Sequence, residues 1–225
     1  MSLAHASSPA IWRIGDFSFV FEYKSAVIAV DPVLTEPIST GLILCTQADH
    51  LDAASVCALL AHSPRSKLVL PKSVASHANQ LGISYHRMVT TDSGLRVEFL
   101  DDRIYAVPSA HPELDWTAIG GFPYLGYLVR FGTCTIYHPG DCVPYDGLAG
   151  RLRPYNVTVA ILPVGGRPNY FDVHEAAQLA EEIGASWLIP MRCKTNDEFV
   201  THMLGQRPQQ RFKILDIGEK WTVPA

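Results

Sequence analysis

Several features are missing from this 225-residue chain, and each absence narrows what it can be. No apolar run is long enough to span a bilayer, so no membrane partner is expected. The opening MSLAHASSPA has neither the basic start nor the apolar stretch of a signal peptide. There is no run of Lys and Arg and no basic stripe interleaved with aromatics. With a formal net charge of −4, the chain is not built as a general nucleic-acid binder. Low-complexity segments, short repeats and Pro/Ser linkers are absent, so one domain over residues 1–225 is expected. Cysteine is limited to five widely spaced positions, Cys45, Cys57, Cys134, Cys142 and Cys193. An odd number in a chain too large to need disulfide staples reads as reduced thiols in a cytoplasmic protein.

Apolar residues are plentiful at 48%, against 18% charged, which excludes global disorder and allows a sizeable core. IWRIG, FSFVFEY and AVIAVDP read as a meander of strands, followed by the strand LILC and a helix over 52–62. KLVLP is a strand, and SVASHANQLG a helix closed by Gly82. HRMVTT, LRVEFL and RIYAVP return to short strands. YLGYLVRF and CTIYH form a hairpin turning at Gly132. VTVAILPV is apolar throughout, as a central strand is. HEAAQLAEEIG is an amphipathic helix, SWLIPM a last core strand and NDEFVTHMLGQ another helix. Strands followed by strand–helix units, in both halves, predict an α/β fold: two sheets face to face with helices outside, a four-layer αββα sandwich.

Polar residues cluster where these strands end. QADHLD (47–52) follows LILC and carries Asp49, His50 and Asp52. His111 lies in SAHPELD, while YHPGDCVPYDGL (137–148) carries His138 and Asp141. Each alone has a plain reading: Asp52 as a helix N-cap, the GD pair as a turn, a histidine as a hydrogen-bonded strand residue. Their order predicts more, because the sandwich brings strand ends distant in sequence to one edge.

At this point the chain resembles the metallo-β-lactamase superfamily, and within it the branch of L-ascorbate-6-phosphate lactonase-like hydrolases. The residues that carry the resemblance are AHPELD (110–115), YLGYLVRFGTCTIYHPGDCVPYDGL (124–148), AILPVGGR (160–167), HEAAQLAEEIGA (174–185) and LIPM (188–191). The family's first motif, His-x-His-x-Asp-His, falls on Cys45-Thr46-Gln47-Ala48-Asp49-His50. By that resemblance the first metal would be held at positions 45, 47 and 111, the second at 49, 50 and 192, and Asp141 would bridge both. Asp49, His50, His111 and Asp141 match; Cys45, Gln47 and Arg192 depart.

The departures have physical consequences. Guanidinium offers no lone pair and stays charged, so Arg192 cannot ligate a metal. It can neutralise Asp49 and Asp141 instead, or point to solvent. Cys45 is either a thiolate zinc ligand or a buried core thiol. Gln47 reads as a hydrogen-bond partner, and His138 as a residue orienting Asp141 or Asp49. Tyr145, Asp146, Arg167 and Asn169 are candidate substrate contacts, and His174 a surface or capping residue. The expected cofactor is at most one divalent metal, zinc or manganese, or none. Two functions follow. One is hydrolysis of a lactone or phosphoester by metal-activated water, with Asp49 orienting the hydroxide and Arg192 stabilising the oxyanion. The other is a non-catalytic relative in which Arg192 replaces metal and the pocket binds a small anionic metabolite or a partner.

Overall fold

A computed structural model describes residues 8–193 and 196–224. The opening residues 1–7, where a signal peptide would begin, lie outside them. The first sheet uses β1 (Ala10–Arg13), β2 (Phe19–Tyr23), β3 (Ala26–Val30), β4 (Leu42–Leu44), β5 (Lys67–Pro71) and β6 (Met88–Thr91). The second uses β7 (Arg96–Phe99), β8 (Asp102–Pro108), β9 (Leu125–Phe131), β10 (Cys134–His138), β11 (Val159–Pro163) and β12 (Trp187–Met191). A short final strand, β13 (Lys220–Thr222), returns to the first sheet and pairs antiparallel with β1. The strand orders are β13-β1-β2-β3-β4-β5-β6 and β12-β11-β10-β9-β8-β7. Both sheets are mixed: β3, β4, β5 and β6 run parallel, as do β10, β11 and β12.

Three apolar layers hold these sheets in place, and strand alternation explains all three. In β4, Leu42 and Leu44 face the second sheet, whereas Ile43 faces helices α1 (Ala53–His62) and α2 (Ala75–Gln80). In β11, Val159 and Ile161 join the core between the sheets, while Ala160 and Leu162 face α3 (Leu148–Leu152), α4 (Val173–Glu182) and α5 (Asn196–Gln206). Each fully buried Ile or Leu contributes about 2 kcal/mol. This is the αββα sandwich the sequence predicts. The VAILP run is apolar throughout because it is covered on both faces and paired on both edges.

Local signals set the helix starts. The Asp52 side chain accepts from the Ser55 amide and caps α1. At α4, Asp172 and Glu175 form a reciprocal capping box, so the cap is Asp172, and His174 lies exposed at the surface. The parallel strands β3, β4 and β5 all end at one edge of the sandwich, and the polar loops emerge there.

Candidate functional site

The centre of the polar cluster is a residue the sequence reading passed over. Asp31 follows β3 directly, is fully buried, and adopts a left-handed backbone with φ 45°. Its carboxylate accepts from the Thr46 amide at 2.8 Å, from Thr46 Oγ1 at 2.6 Å and from His50 Nδ1 at 2.9 Å. A buried carboxylate needs such a set of donors. The signal was the DP pair closing an apolar strand, which reads equally well as a turn.

His50 sits between two carboxylates. Nδ1 meets Asp31, and Nε2 lies 3.2 Å from Asp141 Oδ2. The Phe17 ring stacks on the imidazole, centroids 4.2 Å apart. Burial alone would lower the pKa of His50, but the charge of Asp31 and the acceptor oxygens of Asp141 and Asp31 outweigh it and push the pKa up to about 9.

Arg192 closes the cluster from the end of β12, itself left-handed with φ 53°. Nε donates to Asp141 Oδ1 at 2.6 Å and Nη2 to Oδ2 at 3.1 Å, a two-pronged grip. Nη2 also lies 2.9 Å from His50 Nε2, where its positive charge opposes protonation of the ring. Nη1 reaches Asp16 at 3.6 Å, and the guanidinium carbon lies 4.3 Å over the Phe17 ring. For Asp141, burial would raise the pKa, yet hydrogen bonding and charge from His50, then Arg192, keep it below the ordinary value. The loop carrying Asp141 approaches closely because of Gly140: with φ 69°, any Cβ there would lie 2.7 Å from the Thr46 Cβ.

The other predicted residues take different places. Asp49 is exposed and accepts from Gln47 Nε2 at 2.9 Å; the hydrogen bonds and ion pairs of Arg192 go to Asp141, His50 and Asp16 instead. Asp49 still belongs to the same rim. Tyr170, which sequence reasoning missed, has its pKa raised by burial, then by Asp141, with Arg192 opposing and Asp16 and Asp49 adding to the rise. Cys45 is a fully buried thiol in the layer packed against α1 and donates to the Gln47 carbonyl at 3.1 Å. Burial, then the Asp31 charge, pushes its pKa well above the ordinary thiol range, which opposes the thiolate that metal ligation requires. His111 is half-buried and edge-on to Tyr124, with Nδ1 buried and unpartnered; Gln47 Oε1 is likewise buried without a partner.

His138 does not reach Asp141 or Asp49. Its Nδ1 accepts from the Gly140 amide and its Nε2 donates to the Phe17 carbonyl at 3.1 Å, so it fixes the turn that lays Phe17 over His50. Burial lowers its pKa, consistent with a neutral ring. Tyr145 donates to the Pro108 carbonyl and lines a groove beside α3 and α4, with Asp146 exposed next to it. Arg167 is exposed and pairs with Glu175 at the start of α4, and Asn169 is exposed.

The donor set therefore does not fit the two-metal centre implied by the resemblance. Among the described residues, no group of three or more His, Cys, Asp or Glu side chains is placed to hold a metal ion. The position of the second metal's third ligand carries a guanidinium bonded to the carboxylate that would bridge the two ions.

Two mixed sheets packed face to face, flanked by helices and carrying a polar cluster at the strand ends, define the metallo-β-lactamase fold. The chain belongs to the beta-lactamase superfamily, whose domain model matches residues 11–192. It is similar to the UPF0173 metal-dependent hydrolase of Thermococcus kodakarensis, 29% identical over 93% of this chain and 92% of that protein. A second relative, the UPF0173 metal-dependent hydrolase of Pyrococcus furiosus, is 29% identical over 81% of this chain and 83% of its own length. Among solved structures, Igni18, a metallo hydrolase of Ignicoccus hospitalis, superposes with a TM-score of 0.79 at 20% identity, covering 97% of this chain and all of that one. An isothiocyanate hydrolase from Delia radicum gut bacteria superposes with a TM-score of 0.75 at 14% identity, covering 95% and 99%. These likenesses establish the fold.

Proposed function

We propose that this chain is a member of the metal-dependent hydrolase lineage in which the Arg192 guanidinium replaces metal, and that it binds a small polar molecule at the site rim instead of hydrolysing one with metal-activated water. The two-pronged Arg192–Asp141 contact, extended to His50, carries this reading. A divalent cation in the lineage neutralises converging carboxylates; here Arg192 neutralises Asp141, and Asp31 is held by the donors of Thr46 and His50. His50 is engaged on both ring nitrogens, so its imidazole is not a free base. The anionic ligand that the sequence suggests fits this rim poorly. The guanidinium is committed to Asp141, while Asp49 and Asp16 leave the rim negative, so a neutral or cationic polar molecule suits it better. Elemental analysis of protein purified without chelators tests the reading, together with assays on a lactone and a phosphoester. Substoichiometric metal and no turnover are expected; stoichiometric zinc, manganese or iron would overturn it.

A second reading keeps one metal, either zinc or manganese. It is favoured by the unpartnered Gln47 Oε1 and His111 Nδ1, both buried and both at first-metal positions of the resembled family. Gln47, His111 and Asp141 would then hold the ion, which when bound lowers the pKa of its water. Lactonase-like chemistry on a lactone or phosphoester belongs to this reading. Loss of bound metal in His111→Ala would support it.

A further inference from the structure

A second cavity, of about 680 Å³, lies at the opposite end of the sandwich from the Asp31–His50–Asp141–Arg192 cluster. Its lining comes from residues that precede parallel strands: Ser25 before β3, Thr40 and Gly41 before β4, and the turn Ser63–Ser66 before β5. Phe99 at the end of β7 and Leu100 just after it, from the other sheet, complete it. The volume is within the range of small-molecule sites.

The chemistry of the lining is one-sided. Arg65 is its only charged side chain among the described residues, and no carboxylate lines it. Arg65 is exposed, and no ion pair or hydrogen bond of its side chain is present among the described residues. Ser66 is 1% exposed, lines the cavity, and its Oγ is buried without a hydrogen-bond partner. A buried hydroxyl left unpaired costs stability unless something else supplies the bond. Val27, Phe99 and Leu100 supply the apolar part of the lining.

The polar wall is also rigid. Arg87 Nε and Nη2 donate to the Ser66 carbonyl at 3.0 and 2.8 Å, and Nη2 donates to the Leu60 and Ser63 carbonyls, each at 3.1 Å. Ser63 Oγ accepts from the Thr40 amide at 3.1 Å, tying the turn to the start of β4. The backbone of the turn that carries Arg65 and Ser66 is thus fixed before a ligand arrives, while the Arg65 side chain keeps its donors free.

We propose that this cavity binds a small organic carboxylate with an apolar body: the carboxylate on Arg65, a hydrogen bond from Ser66 Oγ, and the body against Phe99 and Val27. A guanidinium with free donors matches a carboxylate, and the apolar wall selects against a bare inorganic anion. The site is independent of whatever occupies the Arg192 cluster.

Calorimetric titration of the full chain with benzoate, benzyl alcohol and inorganic phosphate tests this, with amide chemical shifts locating the binding. Benzoate is expected to saturate and to shift Arg65 and Ser66, with the other two probes at least tenfold weaker. Arg65→Gln should weaken benzoate about tenfold or more. Ser66→Ala should weaken it several-fold while leaving the melting temperature of the free protein unchanged or raised, because its hydroxyl has no partner to lose. No saturable binding at millimolar benzoate overturns the proposal, as does benzyl alcohol or phosphate binding as tightly. Benzoate affinity that falls in Arg192→Ala but not in Arg65→Gln also overturns it, and assigns the binding to the other site.

Discussion

Arg192 grips Asp141 with two nitrogens, Nε at 2.6 Å and Nη2 at 3.1 Å, and the same Nη2 touches His50. Asp141 is almost fully buried and Arg192 mostly so. Removing one partner of such a pair leaves an uncompensated charge in low dielectric. Arg192→Ala is therefore expected to lower stability by about 2–3 kcal/mol in urea denaturation, below the 3–5 typical of fully buried pairs because of Arg192's residual exposure. Arg192→Lys should not restore it, since an ammonium cannot fork across a carboxylate. An unchanged denaturation midpoint in Arg192→Ala would mean the pair contributes nothing.

Metal uptake should follow the side chain at this position. Arg192→His replaces a repelling cation with an imidazole beside His50 and Asp141, with Asp49 on the same rim. One equivalent of zinc is expected in a calorimetric titration where the unaltered protein takes up less. Adding Cys45→His and Gln47→His should allow a second equivalent. Near-native melting temperatures must accompany both results, because Cys45 packs in the layer against α1. Two equivalents bound by the unaltered protein would falsify the argument that the guanidinium bars a metal pair.

Stability should also depend on pH with a definite sign. His50 has its pKa raised from 6.5 to about 9, so its contribution is full below pH 6.5 and is lost as pH rises through 9. Asp141 has its pKa lowered from 3.8, so its contribution is full above that value and is lost as pH falls below it. The stability plateau is expected between about pH 4 and 6.5, followed by a decline of at most about 3 kcal/mol by pH 10. Arg192 beside Nε2 makes the decline smaller. His50→Gln should flatten that alkaline limb; an alkaline limb identical in the variant would assign it to another group.

Asp31 permits a cleaner substitution. Its backbone is left-handed, a conformation asparagine tolerates, so Asp31→Asn tests charge with little change in backbone strain. The variant keeps an acceptor for Thr46 but loses the charge that raises His50. A loss of about 1–3 kcal/mol is expected, with a fall in the His50 pKa read by NMR titration. A His50 pKa still near 9 would place the cause elsewhere.

The layered fold was legible in the chain because alternating apolar strands and amphipathic helices report which faces are buried, and burial drives assembly. Asp49, His50, His111 and Asp141 were legible as strand-end polar residues, and Arg192 as a cation where the resembled family has a ligand. Asp31, Asp16, Phe17 and Tyr170 were not. Each sits in a turn whose local sequence has an ordinary reading, and none carries a spacing signal. Asp31 enters the site because β3 lies beside β4 and ends level with it, so that Thr46 and His50 deliver three donors to one carboxylate. Phe17 enters because His138, from the other sheet, donates from Nε2 to its carbonyl. The chain alone determined that carboxylates and a guanidinium would gather at one edge. Only tertiary packing decided that Arg192 would choose Asp141 over Asp49, because Asp141 is buried and needs a cation, while water and Gln47 already satisfy Asp49.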